Sequence, residues 1–211
     1  MHAAVRYMSL AVAGLVAASV SVAAQTNGAR SHTTGLVLGL HLNGSSIKAE
    51  DASNESGAGI GGRIGYGFSP RLTAFVGYDR ASIESAPSDA ALAEEYTLGQ
   101  LDFGMQYNFA NNDRAWRPFV EAAATRRAMS AEVDFGGTMS DVSMYGYGMS
   151  IGAGFQYFLS APWAISTGLN YTFGSFTKGE MDGQSADLDP AINARGARVN
   201  IGVSWHPMAG R

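Results

Sequence analysis

Apolar residues alternate with small or polar residues at a period of two, and the pattern recurs in eight segments of about ten residues. Successive side chains of a β-strand point to opposite faces, so this period predicts strands whose two faces differ. In the segment over 100–109, one face is fully apolar and the other carries Gln, Asp and Gly. The apolar face consists of Leu101, Phe103, Met105, Tyr107 and Phe109.

The connections between these segments alternate between short and long. Short connections are expected near 69–70, 110–114 and 160–162. Long polar connections, rich in Ser, Asp, Glu and Gly, are expected near 44–56, 83–95, 128–143 and 177–193. Eight strands joined in this order predict an all-β protein, an eight-stranded antiparallel up-and-down transmembrane β-barrel with two distinct ends.

The composition of the non-apolar face indicates which face of such a barrel is inside. A soluble barrel would expose many charged side chains, yet charged residues make up only 15% of this chain, against about a quarter in typical soluble domains. The face opposite the apolar one is dominated by Gly, Ser, Thr, Asn and Gln, which suit a narrow interior. A soluble lipocalin-like barrel is the alternative, but the sequence favours a barrel whose apolar face contacts lipid.

Aromatic residues are predicted to lie at two levels of the barrel. Aromatic belts of this kind mark the two interfaces of a membrane. The belt at the short-turn end is predicted to contain Trp116, Trp163, Trp205, Tyr66, Tyr107 and Tyr157. The second belt, toward the long connections, is predicted to contain Tyr78, Tyr96, Tyr145, Tyr147, Tyr171 and Phe173.

The N-terminus is typical of an export signal. Residues 1–24 combine one basic residue, Arg6, with an uncharged apolar run that ends in Val22-Ala23-Ala24. We expect 1–24 to be a cleaved signal peptide, 25–32 a short N-terminal lead, 33–207 the barrel and 208–211 a C-terminal tail. Export together with a lipid-facing barrel predicts the outer membrane of a Gram-negative-type cell.

Three segments resemble the small outer-membrane β-barrel family, the OmpA/OmpX-like and opacity-protein-like surface antigens. They are Phe68–Thr73, Arg117–Val120 and Gly152–Ser160. The resemblance covers about 33–207 and implies the architecture rather than one activity, since members include anchors, adhesins, narrow channels and a few lipid-modifying enzymes. It also implies that the assembly machinery reads a final aromatic residue, here Trp205, although the chain continues to Arg211.

Six charged residues are predicted to face the barrel interior, and an interior charge must be paired to offset the cost of desolvation. The simplest interpretation is an ion-pair network that closes the lumen. A gated cation path through the same groups and a catalytic Asp102–Glu121 carboxyl pair are the alternatives. The six residues are Arg63, Asp79, Asp102, Glu121, Arg127 and Arg198.

A second group of basic residues is predicted about ten residues above the short turns, at the outer rim. Arginine binds phosphate with a bidentate fork, so these side chains are candidate contacts for lipopolysaccharide phosphates; solvated side chains are the alternative. The group consists of Arg80, Arg126, Arg127 and Lys178.

The sequence offers no convincing cofactor or metal site. Asp182, Asp187 and Asp189 lie close together but lack the spacing of a calcium loop. The chain has no Cys, and its acidic balance argues against nucleic-acid binding. Of four histidines, His41 alone is expected near the outer leaflet, and it points inward, so no Ser-His-acid triad for lipid modification is predicted.

Taken together, these observations predict a non-enzymatic outer-membrane barrel with a structural and surface-contact role through four long polar extracellular loops. Outer-membrane lipid and lipopolysaccharide, the assembly machinery and an extracellular partner of the loops are the expected partners. A narrow channel for small or partly apolar solutes is the alternative, and a lipid-modifying enzyme is the third hypothesis.

Overall fold

The computed structural model describes residues 33–50, 53–85, 95–109, 115–134 and 137–208. Eight strands form one closed antiparallel barrel in chain order, which confirms the predicted fold class. The expected signal peptide and lead lie outside the described residues. Within these ranges no helix is long and apolar enough to cross a membrane. The strands are β1 Gly35–Ala49, β2 Glu55–Gly67, β3 Leu72–Glu84, β4 Glu95–Asn108, β5 Trp116–Asp134, β6 Met139–Phe158, β7 Trp163–Met181 and β8 Gln184–Trp205.

The barrel closes through pairing of its first and last strands. Strand β1 pairs with β8 from Leu38 opposite Trp205 to Ala49 opposite Ala194. Every strand therefore has two hydrogen-bonded neighbours, and the sheet has no free edge. Closure satisfies the backbone donors and acceptors within the protein, as an apolar environment requires.

The outer surface of the barrel is apolar. Leu40 and Ile60 are 70% and 67% exposed, and Phe103, Met149 and Leu169 are exposed on other strands. Soluble monomers rarely expose large contiguous apolar patches, whereas a membrane barrel presents such a band to lipid. The predicted orientation, with the apolar face outward, is the one that the structure has.

The predicted first aromatic belt lies on the outer surface at the end with the short turns, which we call the turn end. The rings of Trp163 and Trp205 stack with centroids 6.0 Å apart. Trp116 is the strand partner of Tyr157, and Tyr66 and Tyr107 are exposed. For the second belt, the expectation for Tyr96 is wrong, because this ring is buried inside the barrel.

Strands β5 to β8 extend much further than the sequence pattern predicted. The regions expected as loops near 128–143 and 177–193 are largely paired strand. We call 128–134 with 139–145 the β5–β6 ribbon and 174–194 the β7–β8 ribbon, and this end of the barrel the ribbon end. Asp182 and Gly183, with φ of 49° and 81°, form the two-residue turn of the second ribbon. Two positive φ values are typical of a type I′ hairpin turn, for which Asp-Gly is a favoured sequence.

Inward glycines let neighbouring strands approach closely. Gly148 of β6 is the strand partner of Gly174 of β7. A Cβ added to Gly148 would lie 2.3 Å from the carbonyl oxygen of Phe173. By contrast, outward-facing Gly44 has no atom within 4 Å of the position where its Cβ would be.

We expect Gly148→Ala to lower the free energy of unfolding by about 1–3 kcal/mol, because the added methyl group overlaps rigid backbone. Gly44→Ala is the matched control and should change the free energy of unfolding by less than about 0.5 kcal/mol. Urea titration of the barrel in lipid vesicles, followed by heat-dependent gel mobility, measures both. Equal effects of the two substitutions would contradict the packing argument.

Candidate functional site

Arg198 holds two carboxylates at the centre of the barrel interior. It lies on β8, and its Nη1 donates to Asp79 Oδ2 while its Nη2 donates to Asp102 Oδ2, both over 2.6 Å. All three residues are buried. The other oxygen of Asp79 accepts from Asn43 over 2.9 Å and lies 2.6 Å from Nε2 of His41. This arrangement joins β1, β3, β4 and β8 across the lumen.

Arg63 and Glu121 form a second ion pair nearer the turn end. The guanidinium of Arg63 donates two parallel bonds to the Glu121 carboxylate, over 2.9 and 3.0 Å. Asn170 adds a bond to Glu121 over 2.6 Å, and Gln106 accepts from Arg63 over 3.0 Å. The Arg63 guanidinium also lies 3.9 Å from the ring centroid of Phe75. Bidentate pairs of this kind fix orientation as well as charge.

The two carboxylates that could have formed a catalytic pair are held by different arginines. Asp102 bonds to Arg198 and also accepts from Thr125 over 2.6 Å. Glu121 bonds to Arg63 and Asn170. An acid–base pair needs one carboxyl group able to gain or lose a proton toward a substrate. Each carboxylate is bound to its own guanidinium. This geometry therefore favours neutralisation of charge over an acid–base role.

Arg127 lies at the boundary between the ionic network and an apolar cluster at the ribbon end. Its side chain is 1% exposed, donates to the carbonyl of Ala194 over 2.8 Å and lies 5.2 Å from the Phe176 ring centroid. The expectation that Arg127 contacts lipopolysaccharide at the outer rim is therefore wrong. The apolar cluster consists of Ile47, Ala81, Ile83, Tyr96, Leu98, Phe176 and Ala194.

Tyr96 belongs to this apolar cluster, and its hydroxyl is the one polar group of its side chain. Its hydroxyl donates to Glu55 Oε2 over 2.6 Å. Burial and the neighbouring Glu55 carboxylate raise the pKa of the Tyr96 hydroxyl. The hydroxyl therefore stays protonated and continues to donate this bond at any ordinary pH.

Arg117 closes the turn end of the lumen, and it is not among the residues predicted to face the interior. Arg117 is fully buried and donates to Thr33 Oγ1 over 2.5 Å and to the carbonyl of Pro70 over 2.8 Å. Its guanidinium lies 5.9 Å from the ring centroid of Phe158. The signal was present, because Arg117 precedes inward-facing Phe119 by two residues and so shares its face.

A small cavity lies between this closure and the Arg63–Glu121 pair, lined by both polar and apolar side chains. Its volume is about 60 Å³, room for very few water molecules. Glu121, Gln156, Asn170, Asn200 and Ser204 contribute to its lining. Buried polar groups of this type are usually satisfied by ordered water.

The remaining rim residues lie outside the barrel, with their side chains exposed. Arg126 lies over the ring of Tyr145 at 5.8 Å. The strand partner of Lys178 is Asp187, so opposite charges face one another there. Arg80 is exposed on β3. These three residues keep the outward orientation that a contact with lipopolysaccharide would need.

The described histidines do not form a site at the outer leaflet. His41 faces Asp79 in the lumen, and His206 is buried at the turn end, with Nε2 3.4 Å from Ser204 Oγ. Asp182 accepts from the backbone N–H of Asp141 over 3.1 Å. Across the described part of the chain, no three or more His, Cys, Asp and Glu side chains gather closely enough to hold a metal ion.

We expect Arg198→Ala to destabilise the barrel by about 3–5 kcal/mol, because it leaves two buried carboxylates without their charged partner. The triple variant Arg198→Met, Asp79→Asn and Asp102→Asn should recover most of this loss, since it removes the uncompensated charge. Urea titration in lipid vesicles measures both variants. If Arg198→Ala has the same urea midpoint of unfolding as the wild type, the network contributes nothing to stability.

The comparisons with known proteins agree with this geometry. The family model described as "Outer membrane protein beta-barrel domain" matches residues 10–206. The fold is similar to that of Neisserial surface protein A, which is 17% identical, with a TM-score of 0.62 over 82% of this chain and 97% of that one. It is also similar to OprG of Pseudomonas aeruginosa, 12% identical, with a TM-score of 0.60 over 84% of this chain and 98% of that one.

Ail, the attachment invasion locus protein of Yersinia pestis, has the same fold, at 11% identity and a TM-score of 0.53 over 82% of this chain and 98% of that one. No curated protein sequence matches the chain. Likenesses at this level of identity show the fold, while the family model covers nearly the whole chain. The protein belongs to the outer-membrane β-barrel domain family and is located in the outer membrane.

Proposed function

We propose that the protein is a closed, non-enzymatic outer-membrane barrel that holds two acidic ribbons outside the cell for contact with a positively charged partner. The observation that carries this proposal is the combination of a blocked lumen with long, paired and strongly acidic ribbons. The block is formed by buried side chains and the acidic surface by exposed side chains of the ribbons, so each can be tested by itself.

Three successive layers support the closed state. The apolar cluster around Phe176 fills the ribbon end, and the Arg198 network spans the middle. Arg117 and Phe158, both fully buried, fill the turn end. The interior of an eight-stranded barrel is only wide enough for side chains. A solute would therefore have to displace all three layers.

The two ribbons support the contact role by their length and charge. The β5–β6 ribbon carries Glu132, Asp134 and Asp141 and no basic residue. The β7–β8 ribbon carries Glu180, Asp182, Asp187 and Asp189 against one basic residue, Lys178. Seven carboxylates against one ammonium group create a negative surface that attracts cationic partners and speeds their association.

We expect the wild-type barrel, refolded in a planar bilayer, to show no reproducible conductance steps. Arg198→Ala should also be silent, because the layers around Phe176 and Arg117 remain in place. Heat-dependent gel mobility of the same samples verifies folding. Conductance steps in the wild type that change with Arg63→Ala would favour the narrow channel instead.

We expect the ribbons to bind a fluorescent ten-residue oligolysine peptide in a salt-dependent manner. Asp187→Asn with Asp189→Asn should weaken this binding severalfold, because each exposed charge contributes through a screened Coulomb attraction. The matched control, Glu84→Gln with Glu95→Gln, removes two carboxylates from the ends of the shorter strands and should have a smaller effect. Equal losses from the two pairs would contradict a role specific to the ribbons.

A further inference from the structure

Two basic residues face each other on the outer wall of the barrel with no acidic partner. Lys48 of β1 and Arg195 of β8 are strand partners, and both side chains are exposed. Within the described residues, neither side chain makes a hydrogen bond or an ion pair. Like charges directly opposite each other destabilise a sheet. A negatively charged group bound between the two side chains would relieve this repulsion.

The height of the pair along the barrel identifies its surroundings. Arg195 precedes Trp205 of the turn-end belt by ten residues, and Lys48 follows Leu38, the partner of Trp205, by ten residues. Ten residues of a tilted strand rise about 25 Å, which is the height of the apolar band of an outer-membrane barrel. Both head groups therefore lie at the outer membrane interface.

A cleft of about 700 Å³ surrounds the pair; we call it the β1–β8 cleft. Tyr171 and Phe173 of β7 line one side, and Phe173 is the strand partner of Arg195. One step toward the membrane, the partners on the same outward face are Ser46 and Ala197, which are small. The cleft thus has two basic residues and an aromatic wall, and small residues lie directly below it at the edge of the apolar band.

The opposite side of the cleft is closed by Glu50. Asn193 donates to Glu50 Oε2 over 2.7 Å, and the Glu50 N–H donates to the Asn193 carbonyl over 2.8 Å. This fixed carboxylate leaves the cleft with one net positive charge. It also repels an anion from the aqueous side, so the favoured anion position lies between the basic pair and the membrane.

Two of the three exposed basic residues predicted at the rim already have a neighbour within the chain. Arg126 lies over the Tyr145 ring, and Lys178 faces Asp187. Lys48 and Arg195 instead present five guanidinium donors and an ammonium group to one cleft. Arginine together with lysine is a donor set well suited to phosphate.

We propose that the β1–β8 cleft binds the phosphate group of an outer-leaflet lipid, with Lys48 and Arg195 as its joint ligands and the acyl chain along Ser46 and Ala197. The commitment to a lipid rather than a free phosphate rests on the height of the basic pair at the membrane interface, with the exposed apolar band of the outer wall directly below it. The proposal does not depend on the ribbons or on their partner.

Binding of fluorescent diphosphoryl lipid A to the refolded protein in neutral detergent tests this site directly. Lys48→Gln with Arg195→Gln should weaken this binding about tenfold, since each basic residue at a membrane surface contributes severalfold. Binding of dephosphorylated lipid A should not change. Arg80→Gln with Arg126→Gln removes the same charge at a similar height and should have a smaller effect.

Three results would overturn the proposal. The first is unchanged binding in the Lys48→Gln, Arg195→Gln variant. The second is an equal or larger loss in the Arg80→Gln, Arg126→Gln variant. The third is full displacement of lipid A by millimolar inorganic phosphate, which would assign the cleft to a free anion.

A stability measurement tests the site in a second way, because a merely structural effect of Lys48 would not depend on the lipid. In phosphatidylcholine vesicles, Lys48→Gln should raise the urea midpoint of unfolding, because it removes a like-charge contact. In vesicles that contain diphosphoryl lipid A, the wild type should gain more stability than the variant, because the lipid binds only the folded barrel. The same difference in midpoint in both kinds of vesicle would contradict a phosphate site.

Discussion

The need to satisfy every backbone hydrogen bond within an apolar surrounding determines the rest of this structure. In lipid no water is available for an unpaired N–H or C=O, so the sheet must close on itself. Strand β1 meets β8 for this reason, and the ring has eight strands. A ring of that size leaves an interior that side chains just fill. Small residues such as Gly148 and paired charges such as Arg198 with Asp79 and Asp102 are consequences of that limited space.

Larger barrels use their interior both to support the structure and to admit other molecules. In this barrel the interior is filled with side chains that support the structure. Here the inward side chains connect distant strands, as Arg63 of β2 does with Glu121 of β5. The lumen therefore serves as the core of the protein, although its middle is ionic and its main apolar cluster surrounds Phe176. Under the proposed function, contacts with other molecules fall to the outer wall and to the exposed side chains of the ribbons, which can change without disturbing the ring.

Much of the barrel could be predicted from the sequence, because lipid on one side and a narrow lumen on the other impose a strict period of two. The strands are correctly predicted wherever both conditions apply, and so is the inward orientation of Asp102 and Glu121. Above the membrane both faces of a strand meet water, the contrast between the faces disappears, and the β7–β8 ribbon resembles a loop in sequence. The Asp182-Gly183 pair was the local signal of a hairpin there.

The assignment of Arg126 and Arg127 shows a different kind of error. Adjacent strand residues point to opposite faces, so only one of the two could lie on the outer rim. Lys48 and Arg195 were missed because their partnership depends on how β1 meets β8, a register that alternation alone does not define. Which charged residues meet across the lumen likewise depends on the registers of all the strand pairs that lie between them.

The apolar cluster of Ile83, Tyr96 and Phe176 lies at and beyond the outer interface. Inside the membrane, moving an apolar side chain from lipid to protein changes its hydration little, whereas this cluster is withdrawn from water. The ribbon end therefore obeys the thermodynamics of a small soluble protein: its packing weakens on cooling and in urea, and its exposure carries a heat-capacity change. The stability of one continuous sheet thus responds to temperature in two ways. The boundary between the two parts is the membrane surface and does not coincide with a break in the chain.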